Sequence, residues 1–245
     1  MALRRRRKDS KDSNEDSETP VVEAAPGDEL EGPFDIDDFD DPSVAAVARL
    51  DLGSVLVPMP DAGQVQVELG NTGVPSAVWV VTANGRFTVA AYAAPKSPGL
   101  WREVAAELAA SLRKDVPKVS IEDGPWGREV IGVAAENAGV VRFIGVDGYR
   151  WMIRCVVSGP HDRIDALAEQ ARDALADTVV RRGDTPMPVR TPLPIELPEP
   201  MAEQLRAATE QAAAQQPPPP QQQQPTARRT TQGSAMQQLR TITGG

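Results

Sequence analysis

Two periodicities alternate along the middle of the chain, one of strands and one of helices. Val65, Val67 and Leu69 alternate with Gln64, Gln66 and Glu68, the period-two pattern of a half-buried strand. Val55 to Val57 is an apolar run that ends at Pro58 and reads as a strand before it. Ala77 to Ala83 meets Asn84-Gly85, and Arg86 to Tyr92 follows. Asn-Gly between two β-prone runs predicts a hairpin, because both turn positions of the favoured two-residue loop need positive φ. The period then changes. Trp101, Val104, Ala105, Leu108 and Leu112 mark one face of a helix at about 99–115, and Pro117 bars its continuation.

The order recurs. Val119 and Ile121 mark a strand, and Arg128 to Ala135 another. Asn137-Ala138-Gly139 turns the chain into Val140 to Val146, and Asp147-Gly148 predicts a second two-residue hairpin leading into Tyr149 to Val157. Gly159-Pro160 opens a helix near 161–182, with Ile164, Leu167, Ala168, Ala171, Leu175 and Val179 on one face and Gly183 as its stop. Each half therefore reads as four strands and a helix. This is either a duplicated ββββα unit or the chance alternation common in such domains. Both readings give an α+β fold, a mostly antiparallel sheet of hairpins with two helices packed on one face.

Charge changes the picture at the ends. The 245 residues carry a net charge of −9, but residues 9–41 alone hold fourteen acids against Lys11. The basic run Arg4 to Lys8 precedes them, and residues 42–183 are within one charge of neutral. A segment so charged and so poor in apolar residues cannot offset its ordering entropy, so residues 1–41 are expected to form a disordered basic-then-acidic tail. Residues 42–183 form the expected α+β domain. Eleven of the 23 prolines lie after residue 183. Residues 184–215 are expected to be an extended Pro-rich segment and a short helix near 199–215, and residues 216–245, with their PPPPQQQQ tract, a disordered tail.

Composition excludes more chemistry than it suggests. One Cys cannot form an intrachain disulfide, and one His with one Cys cannot supply a structural zinc site. No apolar run is long enough to span a membrane, and no apolar h-region follows the basic start, so a cytoplasmic protein is expected. Phosphate-loop, dinucleotide-binding, nucleophile-elbow and metalloprotease patterns are all missing, so no catalytic residue, metal ligand or cofactor is assigned. Cys155 shares a strand face with Trp151, Ile153 and Val157 and reads as a buried structural thiol. His161 reads as a first-turn residue of the second helix. The aspartates at 35, 37, 38, 40 and 41 lack the glycine and terminal glutamate of a calcium loop.

Three features point to an unknown protein partner. Phe34, Ile36 and Phe39 are apolar anchors in an acidic stretch, suited either to folding on a partner or to packing on their own domain. Trp126, between Pro125 and Gly127, is either a partner anchor or a lid over the core. Arg142, Arg150 and Arg154 flank the Asp147-Gly148 turn and could line one basic sheet face, or form a solvated face with paired acids. Nucleic acid is not the favoured partner, because the acidic stretch follows the only basic run closely.

The order F-D-I-D-D, R-L-D-L-G-S-V-L-V-P-M-P, S-P-G-L-W-R-E-V, D-G-P-W-G-R-E-V and G-Y-R-W resembles an uncharacterised actinobacterial family of unknown function, family 3710. The resemblance covers roughly residues 33–200. It implies an actinobacterial cytoplasmic protein and brings no activity, cofactor or site residue. The expectation is thus a non-enzymatic protein-binding or adaptor module. The alternative is an accessory protein in nucleic-acid or nucleotide metabolism, binding through the basic sheet face.

Overall fold

A computed structural model of the chain describes residues 32–70, 73–135 and 139–215. The tails expected to be disordered lie outside these ranges up to residue 31 and from residue 216, as does most of the turn at 137–139. The fold is α+β. Its centre is the antiparallel pair of β6 (Gly85–Ala93) and β10 (Trp151–Gly159), in register over eight residues from Trp151↔Ala93 to Ser158↔Arg86. On one side β5 (Pro75–Thr82) and β4 (Gln64–Leu69) continue the sheet. On the other come β9 (Val140–Asp147), β8 (Gly127–Val133) and β7 (Lys118–Gly124). The seven strands thus run β4-β5-β6-β10-β9-β8-β7, every neighbour antiparallel.

Side-chain parity assigns the two faces. Phe87, Val89, Ile144, Trp151, Ile153, Cys155 and Val157 point into the main core, which α3 (Ile164–Ala176) covers with Ile164, Leu167, Ala171 and Leu175. Tyr92, Val130, Phe143 and Met152 point the other way, to α2 (Leu100–Asp115) with Leu100, Trp101, Ala105 and Ala109. The two helices therefore lie on opposite faces, where the hairpin pattern predicted one. Nothing in a helix's own periodicity says which side of a sheet its connection crosses. The recurrence of elements thus does not extend to the packing.

A second sheet, of four strands, lies with α3 against the main core. It runs β1 (Phe34–Asp35), β11 (Val179–Val180), β3 (Val55–Pro58), β2 (Arg49–Asp51), with β1 parallel to β11. Val179 belongs to β11 and not to the last turn of α3, which stops at Ala176. The β-branched run Thr178-Val179-Val180 prefers the sheet, and the Thr178 hydroxyl ties it back by donating to the Ala174 carbonyl (2.7 Å).

The packed chain extends beyond 42–183 at both ends. At the front, Phe34, Ile36 and Phe39 pack against Ala45, Leu56 and Val179. A 3-10 turn, Ile36–Asp38, leads to α1 (Pro42–Ala45). At the back, the Pro-rich stretch is a strap between the sheets. Beyond Trp79, β5 leaves its register with β6, and residues 190–193 take the vacated edge. The Arg190 amide donates to the Ala93 carbonyl (2.7 Å), Ala93 to Thr191 (2.9 Å) and Leu193 to Ala91 (2.9 Å). Three residues on, the Glu196 amide donates to the carbonyl of Leu52, in the β2–β3 connection of the other sheet (3.0 Å), and Leu193 is buried in the main core. Proline lacks a donor, but the amides used here belong to Arg190, Leu193 and Glu196, and the prolines fall between them. From Pro198 the chain forms a separate unit, α4 (Glu199–Gln215), with an Arg206–Glu199 ion pair (3.3 Å).

One buried ionic cluster ties α3 to the far strands. Glu129 on β8 is 1% exposed and accepts from Arg142 of β9 (2.8 Å) and from Arg172 of α3 through both oxygens (2.7 and 3.0 Å). Gly124, near the β7–β8 turn, leaves the space that the carboxylate fills. Elsewhere a glycine seats a ring: a Cβ at Gly145 would overlap the Trp101 indole. Replacing Glu129 with alanine leaves two guanidiniums without their shared carboxylate, an expected loss of about 3–5 kcal/mol in urea denaturation. Glu122→Ala, which removes a half-exposed partner of Arg142, is expected to cost under about 1 kcal/mol.

Candidate functional site

The hairpins place the residues. Asp147 ends β9, and β10 begins at Trp151, so the connection has three residues, not two. The left-handed position falls on Arg150 (φ 64°). This frees Asp147 for a remote task. Its carboxylate accepts from the Gly99 amide (2.9 Å) and the Trp101 amide (2.9 Å), capping α2, whose own N-cap residue is a glycine without a side chain. An anion there also complements the helix dipole. In the β7–β8 turn, Gly124 pairs with Gly127 across Pro125-Trp126.

Between these two ends lies a trough of about 660 Å³. One wall is α2, with Trp101, Arg102 and Ala105. The other is the hairpin, with Ile121, Trp126 and Arg128, and Asp147 stands at the end. Trp101 is locked, its indole donating to the Arg128 carbonyl (2.7 Å). Trp126 is half-buried and donates to the Gly32 carbonyl (2.7 Å), while Ile121 is 41% exposed. The Arg102 and Arg128 side chains are exposed, and neither forms an ion pair among the described residues. Asp123 stands opposite Arg128 in the hairpin register. Strand β7 pairs only with β8 among the described strands, so its outer edge is open.

The residues singled out in the sequence are scattered. Phe34, Ile36 and Phe39 are packed on their own domain, and Asp35 joins them by accepting from the Trp151 indole (2.7 Å). The acidic segment is thus a docked arm from residue 33 on, the second of the two alternatives left open for Phe34, Ile36 and Phe39 and not the disorder expected of the tail as a whole. Trp126 packs on the main core and also lines the trough. The arginines do not share a face. In the β9–β10 register Arg142 stands opposite Val157, and Arg154 opposite Gly145, so the two point to opposite sides. Arg142 is buried with Glu129, Arg150 lies in the turn near Asp184 (3.9 Å), and Arg154 stacks over the Tyr92 ring (4.9 Å). Arg102 and Arg128 lie in the S-P-G-L-W-R-E-V and D-G-P-W-G-R-E-V pieces and Ile121 in a strand pattern, but none was singled out as a site residue. Their one local signal is that each arginine lies within two residues of a tryptophan.

Among the described residues no group of three or more His, Cys, Asp and Glu is gathered to hold a metal. No described helix is long and apolar enough to cross a membrane. Cys155 is fully buried; burial, with Glu129 nearby, pushes its thiol well above the ordinary range. His161 is exposed in the turn before α3.

The fold is an antiparallel α+β domain that carries a trough between α2 and the β7–β8 hairpin. The chain belongs to the family described as Protein of unknown function (DUF3710), whose model matches residues 32–204. No curated protein matches it. A crystal structure from Bacteroides thetaiotaomicron is similar over 68% of this chain at 12% identity and a TM-score of 0.39, and the match spans 60% of that chain. The burial of Cys155 carries a test. The native protein at mildly alkaline pH should not react with a chromogenic aromatic disulfide, and one thiol should titrate on unfolding. Rapid reaction of the folded protein would contradict the burial.

Proposed function

We propose that the protein is a non-enzymatic binding module that recognises an acidic peptide segment carrying an apolar anchor. The observation that supports it is the trough between α2 and the β7–β8 hairpin. Two guanidiniums, Arg102 and Arg128, stand there without ion-pair partners among the described residues. They flank an apolar strip of Trp101, Ile121 and Trp126. Tryptophan and arginine are the side chains that most often dominate recognition energies, the first by area and the second by directed hydrogen bonds to carboxylates. The open edge of β7 beside the trough can pair with an extended backbone, so an acidic strand would find hydrogen bonds, charge and apolar contact together.

The nucleotide or nucleic-acid reading rested on Arg142, Arg150 and Arg154 sharing one face; Arg142 and Arg154 point to opposite sides, which favours the peptide reading. In the peptide reading, the acidic arm at residues 33–41 contributes structure and the trough contributes recognition.

Fluorescence anisotropy with the full chain tests the proposal. The probe is a short labelled peptide in which Asp and Glu alternate with Phe and Leu. The expected result is saturable binding that weakens as salt rises and falls about tenfold or more in Arg102→Glu/Arg128→Glu, with no binding of the lysine-for-acid peptide. Equal binding by the wild type and the charge-reversed variant would overturn it.

A further inference from the structure

The opposite flank of α2 forms a second, separate concavity. A cavity of about 330 Å³ lies between the helix and the ends of β6 and β10, walled by Val104, Leu108, Met152 and the Tyr92 ring. Its size is at the lower end for sites that take small organic ligands. Arg154 lies in it, with its guanidinium over the Tyr92 ring (4.9 Å) and its Nε buried with no hydrogen-bond partner. Among the described residues no carboxylate lies within ion-pair distance of Arg154.

The acids nearest at hand are already engaged. Arg190, from the strap, takes both oxygens of Glu107 (2.9 Å each) and reaches Glu103 (3.1 Å). Glu107 and Arg190 both line the same cavity and neutralise each other as an ion pair there. One positive charge is therefore left inside a mainly apolar cavity. A partly buried charge of this kind is costly unless an opposite charge meets it, and a cation over an aromatic face satisfies only part of that demand. Burial pushes the Tyr92 phenol up, against the opposing pull of Arg154, so the ring beneath the guanidinium is neutral.

From this geometry we infer that the cavity is a binding site for a small amphiphilic carboxylate, its carboxylate on Arg154 and its aliphatic body on Val104, Leu108 and Met152. A planar guanidinium matches a carboxylate through paired hydrogen bonds, and the apolar walls select for a chain behind it. The site is independent of the trough, which lies on the other flank of the helix.

Calorimetric titration of the full chain with hexanoate, acetate, hexan-1-ol and hexyl phosphate tests the assignment. Hexanoate is expected to bind, with acetate and hexan-1-ol each at least about tenfold weaker. Arg154→Met should erase the preference for hexanoate over hexan-1-ol while the ligand-free melting temperature is kept, and Arg154→Lys should restore part of it. The inference is overturned if hexan-1-ol binds as well as hexanoate, if Arg154→Met keeps the preference, or if hexanoate does not bind. Tighter binding of hexyl phosphate would overturn the carboxylate assignment.

Discussion

The register between β6 and β10 is the constraint on which the remaining geometry depends. Eight consecutive pairs fix which residues of the two central strands meet α3 and which meet α2. A slip of one residue would exchange the faces, bringing Arg154 into the main core and Cys155 out of it. The outer strands inherit the same parity through β9 and β8, and Glu129 then falls on the α3 side, where Arg142 and Arg172 converge on it. The cluster does not create the arrangement, because buried ion pairs are weak sources of net stability. It penalises any alternative that would leave a charge alone.

Much of the strand and helix content was legible in the sequence, because it rests on short-range patterns. The hairpin runs, the α2 stripe and the antiparallel character all follow from alternation and turn chemistry. The second sheet was mostly hidden. Its strands are two to four residues long, too short to show a period, and β1 and β11 join residues 34–35 to 179–180. The basic face failed for a related reason. Three arginines near one turn could have shared a side or paired with acids, but side is set by cross-strand parity, and the connection proved one residue longer than Asp-Gly suggested.

Acidic composition misled in an instructive way. Residues 33–41 look like a solvated tail, yet several of their carboxylates are hydrogen-bond acceptors in the fold. Asp35 caps the 3-10 turn and takes the Trp151 indole, Asp38 accepts from the Asp35 amide, and Asp41 caps α1 through Ser43. Counting charge treats each carboxylate as a solvated ion, whereas each of these replaces a missing backbone partner at a helix end. The Pro-rich strap shows the same blindness with the opposite chemistry. Its prolines suggested a spacer without partners, but Arg190, Thr191 and Leu193, between the prolines, carry the sheet bonds. The trough was hidden too: α2 and the β7–β8 hairpin follow one another in the chain, but which of their side chains line the space between them is set only by packing.

The seat of Trp101 on Gly145 ties two distant positions to one history. The indole occupies the space that any side chain at 145 would need, so the strand cannot gain a Cβ there while the ring stays. Position 145 is closed to enlargement as long as the indole remains. A lineage that enlarges it must already have reduced the other, and a smaller residue at 101 would pass through an ancestor with a hollow beneath its helix. Drift among relatives should therefore treat the pair as a single inherited character, one side chain divided between a helix and a strand.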